Sequence, residues 1–229
     1  MPVGLARLRG LSADFAHEWA GALGEGPGPR YQIIASGLAQ LGAQLEVLEA
    51  RTRASMVNMQ TRWWVDPFER HVPLDERSTA RGVTITLIVP RRAIELSPLL
   101  PSLYPDLLVA PIFQEAMLID SVVAVLNAGF SEDGERLFCT TTDVTLIAML
   151  REIEAELRQV AVGSEEVTGK APLTERQTQV ALAVARGDKD VTTARNLDTS
   201  VRTVEREVQT VLTHLGVSSR QQAAMAILG

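Results

Sequence analysis

The residues best suited to chemistry gather near the end of the chain. Arg202, Glu205, Arg206, Gln209 and Thr213 recur at intervals of one to four residues that place them on one side of a helix. Arginine can bond both guanine acceptors at once, glutamine can bond adenine through both ends of its amide, and glutamate can accept from cytosine. Ser200, just ahead of them, is a good helix N-cap, and a helix start offers amides to a phosphate. Such a set suits recognition of nucleotide edges. Other chemistries find less support. His17, His71 and His214 stand far apart and lack paired cysteines, so the usual zinc spacing is missing and no metal is expected. No nucleophile-elbow motif accompanies His17 or His71. Cys139 lies in an apolar run and reads as a small buried hydrophobe. Asp120, also in an apolar stretch, reads either as a turn or cap residue or as a ligand-contacting carboxylate.

Helices must hold these groups, and the flanking sequence predicts four. Thr174-Glu-Arg-Gln177 is a capping box, followed by an apolar face of Val180, Ala183 and Val184 and by Gly187 at a C-cap. A short second helix runs through Thr193, Ala194 and Leu197. Behind Ser200 a third helix buries Val204, Val208, Val211 and Leu215. Ser218-Ser-Arg-Gln221 caps a fourth, which buries Ala223, Ala224 and Ile227. This order can lay the third helix across the major groove of DNA. On pattern alone, a small helical bundle of another purpose stays equally open.

The residues narrow that choice. Leu173-Thr-Glu-Arg-Gln, Gly187, Ala194, Leu197, Ser200-Val-Arg-Thr-Val204, Val208, Leu212 and Leu215-Gly-Val-Ser-Ser-Arg220 resemble, in order and without gaps, the LuxR-type helix-turn-helix domain. The resemblance implies a transcription regulator that binds double-stranded DNA as a homodimer through its third helix. It places Glu205, Arg206 and Gln209 where the family reads bases, and Thr174, Lys189, Arg202 and Thr203 near the DNA backbone. Val201 and Thr210 complete the candidate DNA-binding set. The chain departs from the family at Gln177, where glutamate is usual, at Thr193, where isoleucine is, at Glu205, where a basic residue is, and at Glu207, often histidine. Residues 171–229 carry seven basic and six acidic side chains, a balance of +1, so one module should bind DNA weakly without sequence help. Two modules in a dimer raise the effective concentration of each. The near-neutral module and Glu205 also motivate an alternative: a protein-interaction regulator whose degenerate module does not itself read DNA.

The whole chain, 229 residues with 46% hydrophobic composition and a net charge of −6, is large enough for two domains and too acidic for a general polyanion binder. A single cysteine and a start without a secretory signal fit the cytoplasm. No run of about 18 apolar residues is present, so no membrane span is expected.

Composition shifts divide the chain. Residues 1–29 form a helical segment, with a short amphipathic helix over Asp14–Trp19, ending in the Gly/Pro stretch Gly24–Pro29. Residues 30–65 read as one long helix of coiled-coil type, because only Gly37 and Gly42 interrupt Tyr31–Arg62. A helix of about 30 residues would reach about 45 Å. Leu38, Leu41, Leu45 and Leu48, at 3,4,3 spacing, form a seam that either packs on its own domain or meets a second copy; the dimer seam is the reading adopted. Residues 66–162 read as a mixed α/β domain, with strands over Val83–Val89, Leu107–Phe113, Ala116–Ile119, Val122–Leu126 and Arg136–Cys139. Turns are expected at Asn127-Ala-Gly129 and Asp133-Gly134, and a helix capped by Thr142 follows. Trp63-Trp64 seal a joint or wall an apolar pocket. Residues 163–171 form a linker, and 172–229 the DNA-binding module. The fold class is α+β: a long dimerisation helix, a mixed α/β sensor and a four-helix module.

Arg81-Gly-Val83 before a strand, Pro111 to Asp120 before Val122-Val-Ala-Val125, and the helix from Thr142 are similar to a degenerate phospholipase D-like, TrmB-like domain. Actinobacterial LuxR-type regulators carry such a domain as a non-catalytic sensor. Phospholipase D chemistry needs a histidine nucleophile with a lysine two residues on. His17, His71 and His214 are followed at that distance by Trp19, Pro73 and Gly216. No catalytic residue and no cofactor are therefore expected, and no receiver pattern of clustered aspartates with a downstream lysine appears. What the resemblance implies is a one-component regulator answering to an unidentified effector, a small molecule or a protein.

Overall fold

A computed structural model describes residues 3–63 and 72–228. In chain order its elements are α1 (Val3–Glu25), β1 (Gln32–Ser36), α2 (Leu38–Arg51), β2 (Ser55–Met59), α3 (Val72–Ala80), β3 (Thr84–Val89), α4 (Arg91–Leu96), α5 (Leu100–Leu103), β4 (Leu108–Val109), β5 (Ala116–Ile119), β6 (Val123–Phe130) and β7 (Arg136–Thr141). Then follow α6 (Val144–Val160), β8 (Val162–Gly163), α7 (Ser164–Thr168), α8 (Glu175–Arg186), α9 (Asp190–Asn196), α10 (Val201–Leu215) and α11 (Arg220–Leu228). The chain divides into two units. One comprises residues up to Thr61, Val72–Ile88 and Ala110–Ala161; the other takes Val89–Val109 and everything from Val162 onward. The expected domain over 66–162 thus falls into both units, with Val89–Val109 grouped with the C-terminal helices.

In the first unit six strands lie in the order β1-β7-β6-β5-β2-β3. Only β2 and β3 run parallel, joined by the α3 crossover; every other pair is antiparallel. Alternating apolar residues such as Leu118, Ala124, Leu126 and Cys139 are buried by this sheet. Burial pushes the Cys139 thiol up to about 12. The helix after β7 is capped by Asp143 rather than Thr142: its carboxylate accepts from the Thr145 and Leu146 amides at 3.0 and 3.1 Å. Arg30 holds the same carboxylate at 3.0 Å and Glu18 of α1 at 2.6 Å, joining the start of α6 to α1. The expected short helix at Asp14–Trp19 extends over all 23 residues of α1, which packs along α6. A Cβ at Gly4 would stand 2.8 Å from Val160, so only glycine allows so close an approach there.

The single helix expected over 30–65 is not formed. Its first part is β1, which pairs Gln32 with Thr140 and Ile33 with Cys139, and its last part is β2. Between them α2 has 14 residues, about 21 Å. Gly37 breaks the pattern with φ of 81°, and Thr52 ends α2 in extended geometry while its hydroxyl donates to Leu48 O. The candidate seam lies on this shorter helix. Leu41, Leu45 and Leu48 are half-buried, and Leu38 is 72% exposed. The turn expected at Asn127-Ala-Gly129 is instead a bulge inside β6, where the register against β7 shifts and Gly129 takes φ of 95°.

Two carboxylates lock the β2 side of this sheet. Asp120, at φ 49° in the β5–β6 turn, accepts from the amides of Arg53, Ala54 and Ser55 at 2.9, 2.7 and 2.9 Å. Of its two sequence readings, turn or cap and ligand contact, these bonds support the first. Burial raises its carboxyl, but the Ser55, Ala54 and Arg53 amides outweigh that and hold it below the ordinary value. On α2, Glu49 is 3% exposed and accepts from Ser78 (3.0 Å) and Arg81 (2.6 Å), with Arg77 at 3.4 Å. Burial raises its carboxyl too, and the Arg81 and Ser78 hydrogen bonds and the arginine charges together win.

In the second unit the segment expected as a linker over 163–171 is ordered. Val162–Gly163 pairs antiparallel with β4, and α7 ends on Gly169 in the left-handed region. Of the strand expected over Leu107–Phe113 only Leu108–Val109 forms, Pro111 having no amide to donate. Trp63 meets Tyr104 edge to face at 5.4 Å, which suits the joint-sealing reading; Trp64 lies outside the described residues, as does His71. The four C-terminal helices share one core with Leu99 of the segment ahead of α5.

Replacing Asp120→Ala should lower stability by about 2 kcal/mol at neutral pH, since three amides lose a charged acceptor. A carboxyl depressed in the folded state stabilises above its unfolded pKa and loses that contribution as the pH falls through the folded value. Urea midpoints of the two proteins should therefore converge as the pH drops below about 4. At Glu49, Arg81→Ala should cost about 2 kcal/mol by leaving a buried carboxylate short of its main partner, and the more exposed Arg77→Ala under about 1 kcal/mol.

Candidate nucleic-acid interface

α10 is built to show one face. Val204, Val208, Val211 and Leu212 are buried against the neighbouring helices, and the expected Leu215 packs against the same core half-buried. Arg202, Glu205, Arg206, Gln209, Thr210 and Thr213 are exposed on the other side, and Val201 and Thr203 are half-buried at its start. The Ser200 hydroxyl accepts from the Thr203 amide at 3.1 Å and bonds the Thr203 hydroxyl at 2.9 Å, so capping takes one of the amides expected to face a phosphate. Further along, the Thr210 and Thr213 hydroxyls donate back to Arg206 O and Gln209 O at 3.3 and 2.9 Å.

The turn between α9 and α10 fixes the approach of the helix. Asp198 takes φ of 47°, and the Thr199 amide donates to Ala194 O at 2.9 Å. Lys189 and Thr174, both exposed, stand at the N-caps of α9 and α8. The capping box at Thr174 and Gln177 forms in both directions. Gly187 and Gly216 close α8 and α10 at φ of 77° and 70°. Arg220 binds the Asp190 carboxylate and donates to Asp188 O at 3.1 Å, which ties α11 to the start of α9.

One pairing escaped the sequence reading. Gln177 and Glu207 were two separate departures from the family pattern, yet they touch: Gln177 Nε2 donates to Glu207 Oε2 at 3.0 Å while Gln177 Oε1 accepts from the Thr174 amide at 3.0 Å. The other Glu207 oxygen accepts from Arg206 at 3.2 Å. The Gln177 bond, then the Arg206 bond and charge, hold the Glu207 carboxyl below its ordinary value against its burial. Arg206 keeps a side chain 74% exposed while Glu207 retains 11%. A guanidinium has five donors, so one bond to Glu207 leaves a forked edge free to meet a base. The signal available in the sequence was that both departures came together, one at the start of the first helix and one on the third.

The candidate DNA-binding residues thus fall on the start of α8, the start of α9 and the open face of α10. Among the described residues no cluster of three or more histidine, cysteine or acidic side chains could hold a metal, and no helix is long and apolar enough to cross a membrane.

Solved structures similar to the chain include NucT from Helicobacter pylori, at 12% identity and a TM-score of 0.46, covering 58% of this chain and 96% of that one. Nuc from Salmonella typhimurium, a phospholipase D family member, gives 11% and 0.44, covering 59% and 98%. TrmBL2, described as an archaeal chromatin protein with a novel mode of DNA binding, gives 8% and 0.41, covering 58% and 53%. No curated protein matches the chain. Residues 171–227 match the family of bacterial regulatory proteins, luxR family. With its four helices, its α9–α10 turn and the open face of α10, the C-terminal module is a LuxR-family helix-turn-helix domain.

Proposed function

We propose that this chain is a cytoplasmic, one-component transcription regulator that binds double-stranded DNA as a homodimer and reads it with α10. The observation that carries this reading is the exposed row Glu205, Arg206, Gln209 opposite the buried stripe of α10, with Arg206 steadied by Glu207. Arg206 and Gln209 bond purine edges, and Glu205 accepts from a cytosine or repels the backbone where none is present. Thr174, Lys189, Val201, Arg202, Thr203 and Thr210 position the module on phosphate and sugar. The first unit senses rather than catalyses, a reading that rests on the lack of a lysine two residues after any histidine. Dimerisation supplies the second half-site that a module of charge +1 needs, and Leu38, Leu41, Leu45 and Leu48 on α2 are its proposed seam.

The low module charge together with the exposed Glu205 favours a second reading, in which the module contacts a partner regulator and leaves DNA unread. A gel shift on promoter DNA selected by genome-wide footprinting separates the two. Arg206→Ala should weaken the specific site by about 1–3 kcal/mol and relax one base position, whereas Arg202→Ala should weaken all sequences evenly and lower the salt slope by about 1. No binding at low salt by a dimeric protein would establish the second reading. In light scattering at micromolar concentration the chain should show twice its monomer mass. Leu41→Asp with Leu45→Asp should halve it, and a monomer mass for the unaltered chain would remove the dimer from the proposal.

A further inference from the structure

The second unit contains a cleft of about 300 Å³ that the DNA-reading face does not use. Its walls come from α4, from the strap that follows α7, and from the last turn of α10. Two hydrogen bonds tie its walls together. Arg91 Nη2 donates to Val167 O at 2.9 Å, and Lys170 Nζ donates to His214 O at 2.7 Å. Each cation is only partly engaged, because a guanidinium has five donors and an ammonium three. Most of the remaining surface is apolar, with Ile94, Leu215 and three prolines, and Thr168 adds a hydroxyl. A cleft of this size with an apolar floor and a few converging polar groups is the ordinary form of a small-molecule site.

Charge selects the ligand. Arg91 and Lys170 are positive, and among the described residues Glu95 is the one carboxylate lining the cleft. Burial, and then the neighbouring Lys170 charge, push His214 below its ordinary value and favour its uncharged form. The cleft therefore presents a balance of +1 over a greasy floor, which complements a single negative charge on an apolar body. We propose that this cleft binds a small organic monocarboxylate, its head between Arg91 and Lys170 and its apolar body on Ile94 and Leu215.

Such a ligand would act at the far end of the reading helix. Lys170 caps an orphan carbonyl of α10, eight residues beyond Arg206 and about 12 Å along the axis. A carboxylate bridging Arg91 and Lys170 would fasten that end of α10 to α4 through the strap. This coupling, unlike the site itself, rests on the reading of α10 as the DNA-contacting helix.

Calorimetric titration of the full chain with sodium octanoate tests the site. One saturable event is expected, with octanol and inorganic phosphate at least tenfold weaker, because one lacks the charge and the other carries too much of it with no apolar body. Arg91→Gln, Lys170→Met and the cleft-filling Ala171→Trp each alter an exposed residue, and each should weaken octanoate at least fivefold with unchanged circular dichroism. Absence of saturation, equal binding of octanol or phosphate, or affinity indifferent to all three variants overturns the site. Operator affinity with and without octanoate is the second arm. A change that Lys170→Met abolishes supports the coupling, and octanoate that binds without changing it overturns the coupling alone. A chain that binds octanoate and no DNA overturns the regulator reading while leaving the site standing.

Discussion

The Glu207 carboxylate sits nearly out of water between two helices, and each of its oxygens accepts a side-chain hydrogen bond. Gln177, at the start of α8, takes one oxygen; Arg206, its neighbour on α10, takes the other. The far end of the Gln177 amide is held by the backbone of Thr174, so one chain of bonds runs from a helix cap to an exposed guanidinium. An unpaired charge at such depth would cost several kcal/mol, so the Gln177–Glu207 bond opposes any separation of the two helices. Packing of Val204, Val208 and Val211 gives α10 its attachment and its buried face, and the Gln177–Glu207 bond adds a directional constraint to it.

How much of this was readable in one dimension depended on the range of the forces involved. The module was legible almost completely, because each of its helices carries its own start, stop and stripe within about 15 residues. Thr174 and Gln177, Gly187, Ser200 and Gly216 all act on backbone groups within four residues of themselves. The stretch over 30–65 was illegible for the opposite reason. Ile33 is paired with Cys139, more than a hundred positions away, and nothing near Ile33 announces that partner. Leucine spacing at α2 was real, but it spoke for only 14 of those residues. Gly37, treated as a tolerated interruption, was the boundary itself.

The same distinction explains the buried carboxylates. Asp120 in an apolar run could be flagged as unusual, yet the amides it serves lie more than sixty residues earlier. Gln177 and Glu207 were visible individually as departures from a family pattern. Their meeting needed the helices to be assembled first. Residues that recognise a ligand are exposed and can be read by chemical type alone, whereas the residues that orient them are read only through the fold.

Cys139 is the only cysteine in the chain, and it is sealed in the first sheet with its thiol donating to Leu126 O and raised far from its reactive form. Maleimides and methanethiosulfonates will pass it by while the chain is folded. The natural protein is therefore already a silent background for site-directed labelling. A single thiol engineered on any surface helix would carry a spin label or fluorophore without competition, and distances between identical labels could then report on assembly directly.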